Sequence, residues 1–166
     1  GSRAVQARWT MIVDDDTFVV PPNVLRVLRG YDPAGRVLIG QACVIAGVPR
    51  MCGGAGWVMS TPLHQALVGV LPRCRAKSGA LPEAHSDAFL GYCMRMLLNV
   101  TVIDRIEFNS AEPKFYEGLR GQEDRPRGYG APATFHYVKN YEDWLQLHHL
   151  TSWAWMGGTA KGQGMV

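Results

Sequence analysis

Short apolar runs and amphipathic stretches alternate along the chain and predict its secondary structure. Apolar runs predict strands at residues 9–20, 37–44, 57–59, 100–103 and 134–138, the first of them buried. In four further segments, apolar residues recur at spacings of three and four after a residue that favours the start of a helix. These segments predict helices that begin at Pro21, Ser60, Ser86 and Asn140. Strands that alternate with helices in this way indicate an α/β fold.

Glycine and proline set the ends of several predicted elements. The helix that starts at Ser60 is expected to end near Leu71, because a loop rich in both residues follows it. Residues 110–132 are polar, with glycine and proline throughout, and predict a long loop. We predict one domain that ends with the last helix, over residues 1–150, and a flexible, glycine-rich tail over residues 151–166.

The composition of the 166 residues is that of a globular protein and narrows the classes of function. Hydrophobic residues make up 47% and charged residues 19%, which is too apolar for a disordered chain. The net charge of +3, without a basic run, gives no reason to expect nucleic-acid binding. No apolar stretch approaches the ~20 residues of a membrane span, so we expect no membrane contact by this segment.

The cysteines and one glycosylation sequon carry information about the compartment. The four cysteines have no CxxC spacing, which argues against a zinc site: Cys43, Cys52, Cys74 and Cys93. Residues 99–101, Asn-Val-Thr, form an acceptor sequon for N-glycosylation, although an asparagine at a helix-to-strand turn also suits a helix C-cap. The even cysteine count and the sequon together favour an oxidising, secretory compartment.

Three consecutive aspartates interrupt the first predicted strand. Like charges repel and an unpaired buried charge is costly, so a bound cation would relieve both problems. Hard divalent ions such as Mn²⁺ and Mg²⁺ prefer oxygen ligands. Alternate residues of a strand point to the same side, which pairs Asp14 with Asp16 and leaves Asp15 opposite. A solvated acidic turn or a helix N-cap is the competing interpretation of the triplet.

Three glycines lie close together before the predicted strand at 57–59. The backbone at Gly53, Gly54 and Gly56 therefore bends sharply or approaches another group closely. A phosphate cradle is one interpretation, but the segment has neither the GK[ST] nor the GxGxxG pattern. A glycine bend before a buried strand that contains Trp57 explains these residues equally well.

Five sequence blocks together resemble a known enzyme family. They are WTMIVDDDTFVV, YDP, CGGAGWVMS, HSDAFLGYCM and ATFHYV, in this order from residue 9 to residue 138. In order and spacing they resemble the Fringe-like β1,3-glycosyltransferases, above all the core 1 β1,3-galactosyltransferase branch. The resemblance implies a GT-A-like α/β fold and an inverting transfer, in β1,3 linkage, of a galactose-type hexose from a UDP-sugar to a glycan or glycoprotein acceptor.

The resemblance also implies a metal site and a nucleotide site. Asp14, Asp16 and His136 match the family's ligands for Mn²⁺ or Mg²⁺, with Asp16 as the direct carboxylate ligand. Asp14 and Asp15 would also contact the nucleotide. Without the family pattern, a histidine flanked by two aromatic residues would more often be a buried core residue.

Two further parts of the site are implied in the same way. Gly54 and Ala55 match the segment that lets the donor lie close to the backbone. Asp87 matches the family's general base, which takes the proton of the acceptor hydroxyl. An acidic residue in the first turn of a helix also interacts favourably with the helix dipole, so Asp87 has an ordinary structural explanation too. Relatives commonly carry a second acidic residue where this chain has Ser86.

The resemblance extends to the cysteines and to the extent of the domain. Cysteines that match Cys74 and Cys93 are paired in the core 1 branch, whereas Cys43 and Cys52 are expected to be free, buried thiols. In this family a nucleotide-binding half precedes the acidic triplet. We therefore expect the chain to be the C-terminal portion of a GT-A-like domain, or to rely on a protein partner that supplies or covers the missing half.

Two functions compete at this point. The first is the catalytic C-terminal part of a UDP-sugar-dependent β1,3-glycosyltransferase in the Golgi or ER lumen, whose full-length form would be a type II membrane protein. The second is a non-catalytic, chaperone-like or structural subunit of a larger assembly. The set of candidate ligands favours the first function, whereas the missing half and Ser86 favour the second.

Overall fold

The structure, a computed structural model, describes residues 7–45, 48–77, 86–113 and 132–155. Eight strands run through these residues: β1 (Trp9–Ile12), β2 (Phe18–Val19), β3 (Leu38–Gly40), β4 (Ala42–Ile45), β5 (Val48–Met51), β6 (Trp57–Ser60), β7 (Ile103–Asp104) and β8 (Thr134–Phe135). Four α-helices and one short 3₁₀ helix accompany them: α1 (Pro21–Leu28), α2 (Thr61–Lys77), α3 (Ser86–Leu98), α4 (Tyr141–Trp155) and the 3₁₀ helix Gly53–Ala55. The predicted α/β class is confirmed.

The described residues form two compact units. The first unit contains those of 7–12, 31–53 and 57–105, and the second contains those of 13–30, 54–56 and 106 onward. Each unit is therefore assembled from separate parts of the sequence.

A four-stranded sheet in the order β1-β6-β3-β7 organises the first unit. β6 is antiparallel to both of its neighbours, whereas β3 and β7 are parallel. Every residue of β6 is buried, and Trp57 is only 2% exposed, so its predicted place in the core is confirmed. β1 differs from the buried strand predicted there, because among the described strands it pairs with β6 alone and leaves Ile12 exposed.

The single strand predicted over residues 37–44 is in fact two strands in two sheets. β3 belongs to the four-stranded sheet, whereas β4 forms an antiparallel hairpin with β5. Gln41 lies between them, and its carbonyl accepts a hydrogen bond of 3.0 Å from the Cys52 N–H. The Asp104 carboxylate accepts another, of 2.8 Å, from the Ala42 N–H. Both bonds hold the chain where it leaves the sheet.

Helices α2 and α3 pack against the core of the first unit. α3 begins at Ser86, as predicted, and its apolar residues, spaced by three and four, pack in the core: Phe89, Leu90, Cys93, Met94 and Leu97. α2 does not end near Leu71 but continues through Pro72. A proline removes the hydrogen bond to the carbonyl four residues earlier, here Val68. Both residues are exposed, so water can bind the freed carbonyl and the helix is able to continue.

All four cysteines lie in the described residues and are paired. Cys74 on α2 is bonded to Cys93 on α3, which confirms the disulfide that the resemblance implies. Cys43 and Cys52 also form a disulfide, so the expectation of free thiols is wrong. The β4–β5 hairpin explains this pair, because it brings the two Cα atoms to 5.5 Å, within the range that a disulfide requires.

The second unit contains the antiparallel ladder of β2 and β8 together with α1 and α4. Its buried cluster takes residues from three of these elements and from the segment that follows β2: Phe18, Val20, Phe135 and Leu147. α1 begins with a proline in its first turn, as predicted. Of its apolar residues, Val24, Val27 and Leu28 are buried, whereas Leu25 is exposed.

Asn140 caps α4, as predicted. Its Oδ1 accepts a hydrogen bond of 2.7 Å from the Asp143 N–H, and its Nδ2 donates one of 2.8 Å to the Asp143 carboxylate. The helix continues to Trp155, beyond its predicted end at Leu150. Most of the loop predicted over residues 110–132 falls outside the described residues. Among the described helices, none combines the length and the apolar character needed to cross a membrane.

The two disulfides are expected to differ in their effect on stability. The bridges close loops with sequence separations of 19 and 9 residues, for which the loop-entropy relation gives about 3.3 and about 2.7 kcal/mol. The Cys74→Ala/Cys93→Ala variant, which also loses two fully buried sulfurs, should therefore lower the free energy of unfolding by roughly 3 kcal/mol or more. The Cys43→Ala/Cys52→Ala variant is the matched control, and its free energy of unfolding should fall by less. Urea unfolding followed by tryptophan fluorescence measures both, and the reverse ranking would contradict the prediction.

Candidate metal centre

The β2–β8 ladder brings two distant parts of the sequence together. In its antiparallel register, Phe18 lies opposite Phe135. The chain that enters β2 from the acidic triplet therefore runs beside the chain that leaves β8 at His136. The Val138 N–H donates a hydrogen bond of 2.9 Å to the Asp16 carbonyl and continues the pairing beyond the strands. The register alone thus places the imidazole next to the aspartates.

Thr17 holds the acidic turn in position. Its hydroxyl accepts a hydrogen bond of 3.1 Å from the Asp14 N–H and donates one of 3.1 Å to the Gly54 carbonyl. The Thr17 N–H also donates to the Asp14 carbonyl, at 3.2 Å, which closes the turn. One residue therefore ties the turn to the glycine segment, a role that the sequence did not reveal.

Asp14, Asp16 and His136 converge. One ligand atom from each side chain lies within 4.8 Å of the other two. The Nε2 atom of His136 is 3.1 Å from Asp16 Oδ1 and 3.7 Å from Asp14 Oδ2. The side chains of His136 and Asp16 are only 12% and 18% exposed, whereas that of Asp14 is 53% exposed. Two carboxylates at such close range, one of them largely shielded from water, repel each other unless a cation lies between them.

The second ring nitrogen of His136 sets the orientation of the imidazole. Nδ1 lies 3.1 Å from the carbonyl oxygen of Ser110. A carbonyl only accepts hydrogen bonds, so Nδ1 carries the proton in this contact. Nε2 is then the ring nitrogen that faces the two carboxylates. Histidine ligands of metals are typically oriented by a backbone carbonyl or carboxylate in this manner.

Gly54 leaves the space that the imidazole ring occupies. A β-carbon at this position would overlap the ring of His136. Among the described glycines, positive φ is found at Gly56, at 71°, and not at Gly54. Glycine is therefore needed at position 54 because no side chain fits there. At position 56 it is needed because the backbone has a positive φ.

Tyr137 is held in an unusual conformation directly after the histidine. Its φ of 58° lies in the left-handed region that residues other than glycine seldom adopt. Its ring lies 3.8 Å, between centroids, from the ring of His136. Backbone strain of this kind is retained where the surrounding structure requires it, and here it accompanies the packing of one ring against the other.

Lys139 is a member of the site that the sequence analysis missed. Its Nζ lies 3.6 Å from Asp16 Oδ2 and 5.2 Å from the centroid of the Tyr137 ring. The side chain is 66% exposed, so it can reorient at little cost. A lysine three residues after a histidine matches no metal or nucleotide motif, and only the ladder register shows that it reaches the aspartates.

Two other residues assigned to the nucleotide or donor site lie outside the cluster. Asp15 is exposed and contributes no atom to it. Ala55 is fully buried, and its carbonyl accepts a hydrogen bond of 2.5 Å from the Thr134 hydroxyl. The donor contacts assigned to Asp14, Asp15, Gly54 and Ala55 stay predictions.

Asp87 lies in the first unit, in the first turn of α3. Its Oδ2 accepts a hydrogen bond of 2.9 Å from the Gly53 N–H, and its Oδ1 accepts one of 2.7 Å from the Ala88 N–H. A β-carbon at Gly53 would lie 2.5 Å from the Asp87 β-carbon, so the glycine permits this approach. The two N–H groups fix the direction of the carboxylate, and its role as a general base stays a prediction.

The chain is similar in sequence to proteins of known family. The family model described as Fringe-like matches residues 2–149. A mouse N-acetyllactosaminide β-1,3-N-acetylglucosaminyltransferase 4 is 32% identical over 143 residues, covering 69% of this chain and 39% of the relative. A mouse β-1,3-glucosyltransferase is 30% identical over 150 residues, covering 82% of this chain and 28% of the relative. The human β-1,3-glucosyltransferase is 29% identical, with coverage of 82% and 27%.

The chain spans less than two fifths of the length of these curated relatives. The family match nevertheless extends over nearly all of the chain, from the segment before β1 to α4. The chain belongs to the Fringe-like family.

Proposed function

We propose that this chain is the C-terminal part of a GT-A-type β1,3-glycosyltransferase that binds Mn²⁺ or Mg²⁺ together with the diphosphate of a UDP-sugar. The convergence of Asp14, Asp16 and His136 is the observation that carries the proposal. The names of the relatives support β1,3 transfer but specify different sugars, N-acetylglucosamine and glucose. A galactose-type donor therefore rests on the sequence motifs alone, as does a glycan or glycoprotein acceptor.

The ligand set of the cluster fits a hard divalent cation. Two carboxylates and one imidazole are ligands that Mn²⁺ accepts, and Mg²⁺ accepts the oxygens. Asp14, Asp16 and His136 would hold the cation, and the cation would supply a binding site for diphosphate oxygens. A bound cation would supply charge neutralisation for the UDP leaving group.

The residues around the cluster would each have a defined task. Thr17 would hold the acidic turn, and the Ser110 carbonyl would orient the imidazole. Lys139, once a cation binds at Asp16, would turn to the negatively charged diphosphate.

Proton removal from the acceptor is a separate task, which we assign to Asp87. In an inverting transfer the acceptor hydroxyl oxygen bonds to the anomeric carbon while the bond to the diphosphate breaks. The hydroxyl proton would pass to the Asp87 carboxylate as general base. The N–H groups of Gly53 and Ala88 would keep that carboxylate in one orientation.

The paired cysteines support a location in the secretory pathway, in the Golgi or ER lumen, because disulfides persist in oxidising compartments.

The competing function, a non-catalytic subunit with a protein partner, has no need of a cation at the cluster. Metal binding therefore separates the two functions.

Isothermal titration of Mn²⁺ into the purified chain, with and without UDP, tests the proposal. We expect the chain to bind Mn²⁺ and UDP to strengthen this binding. Asp16→Asn and His136→Ala each remove a ligand and should weaken Mn²⁺ binding by more than the roughly 10- to 100-fold that losing an outer-sphere partner costs. The matched control, Asp15→Asn, removes the same charge from the same turn outside the cluster and should bind Mn²⁺ nearly as the parent does.

Two results would contradict this prediction. A folded parent chain that binds no Mn²⁺ would overturn the metal site and move the non-catalytic subunit to first place. An equal loss of binding in Asp15→Asn would show that the ion responds to the net charge of the turn and not to the cluster.

Gly54→Ala tests whether the space beside the imidazole is needed. The new β-carbon would displace the His136 ring, so Mn²⁺ binding should weaken by roughly tenfold or more, in the range found when a ligand's orientation is lost. Gly69→Ala on α2 is the control, because nothing lies within 4 Å of its β-carbon. It should bind Mn²⁺ normally and gain up to ~1 kcal/mol in stability. Unchanged Mn²⁺ affinity in Gly54→Ala would mean that His136 is not a ligand in this geometry.

Lys139→Met is expected to change the affinities for Mn²⁺ and for UDP in opposite directions. Removing a cation that competes for Asp16 should strengthen Mn²⁺ binding by roughly 2- to 5-fold, since an exposed ion pair is worth up to about 1 kcal/mol. UDP binding in saturating Mn²⁺ should weaken by about fivefold or more, because a charged hydrogen bond to the diphosphate is lost. Lys139→Arg keeps the charge and should resemble the parent. Titrations in which the affinities for Mn²⁺ and UDP change in the same direction would refute the proposed role of Lys139.

A further inference from the structure

The sequon at residues 99–101 lies in a connection of the first unit, directly after α3 and before β7. Asn99 and Thr101, the two residues that define the sequon, are both exposed. The full sequence contains no second Asn-X-Ser/Thr triplet with a residue other than proline in the middle. Any N-linked glycan on this chain therefore belongs to Asn99.

The backbone of Asn99 ends helix α3. Its φ is 53°, in the left-handed region that asparagine tolerates better than most residues. The following N–H, of Val100, donates a hydrogen bond of 3.1 Å to the Met94 carbonyl and so satisfies one of the last carbonyls of the helix. The helix stop is thus made by the main chain of Asn99 and its neighbour.

The side chain of Asn99 has no part in this helix stop. It forms no hydrogen bond with another described residue, and its exposure leaves the amide in solvent. The C-cap and the glycan acceptor are therefore compatible roles, since one uses the backbone and the other uses Nδ2.

We propose that Asn99 is an N-glycosylation site. The Nδ2 atom would form a bond to C1 of an oligosaccharide carried on a lipid diphosphate, the C1–O bond to the diphosphate would break, and Nδ2 would release one proton to solvent. The donor is found in the oxidising compartment in which both disulfides of this chain would form. The inference does not depend on the metal site, so it holds for a transferase and for a non-catalytic subunit alike.

Expression of the chain behind a signal peptide in cultured mammalian cells tests this assignment. We expect the parent to lose mass on treatment with a peptide N-glycosidase, and the Asn99 peptide to show the conversion to aspartate that this enzyme leaves. Thr101→Ala removes the sequon but keeps the Asn99 backbone cap, so it should fold and carry no glycan. Thr101→Ser keeps the sequon and should be glycosylated.

The result that overturns the proposal is equally direct. A parent chain that enters the secretory pathway and forms both disulfides, shown by mass spectrometry without reduction, yet has an unmodified Asn99 would refute it. A glycan that remains in Thr101→Ala would also refute it. Asn99→Gln is the less useful variant, because glutamine at a positive φ strains the helix stop and can lower folding for that reason alone.

Discussion

The second unit holds the Asp14 and Asp16 carboxylates close together against their mutual repulsion, and this constraint governs the arrangement of the site. The ladder register, the Thr17 hydroxyl and the Ser110 carbonyl all act to hold these charges and one imidazole together. Lys139 offsets only a small part of the repulsion, because its own side chain is 66% exposed and an ion pair with such an exposed partner is worth at most about 1 kcal/mol. A divalent cation coordinated directly would offset far more, and the surrounding contacts are those that orient metal ligands elsewhere in proteins.

Consecutive glycines 53 and 54 solve the same steric problem for two different side chains. In the first unit Gly53 admits the Asp87 carboxylate to its N–H, and in the second unit Gly54 admits the His136 ring. Neither position owes its glycine to a positive φ, which is found at Gly56. The motif CGGAG is therefore explained by two close approaches and one turn, and it needs no phosphate cradle.

Local patterns in the sequence predicted the features that depend on neighbouring residues. The Asn140 cap, the apolar face of α3 and the buried Trp57 follow from spacing and composition. The errors concern residues whose environment is set by distant parts of the chain. The Cys43–Cys52 bridge depends on a hairpin, and Lys139 meets Asp16 only through the ladder register. The end of α2 is the exception, since the exposure of Val68 lets the helix pass Pro72 within a single turn. His136 was predicted from the family pattern, since its own neighbours indicated a core residue.

The discontinuous path of the chain sets an order in which the two units can be completed during synthesis. All four strands of the larger sheet and both disulfides are available once residue 104 has left the ribosome. The acidic turn is synthesised before three of these four strands but has no imidazole partner until residue 136 follows. Because domains fold as units, the three aspartates stay a solvated acidic loop until His136 has been synthesised. The cluster of Asp14, Asp16 and His136 can therefore form only after the four strands of the larger sheet have been synthesised.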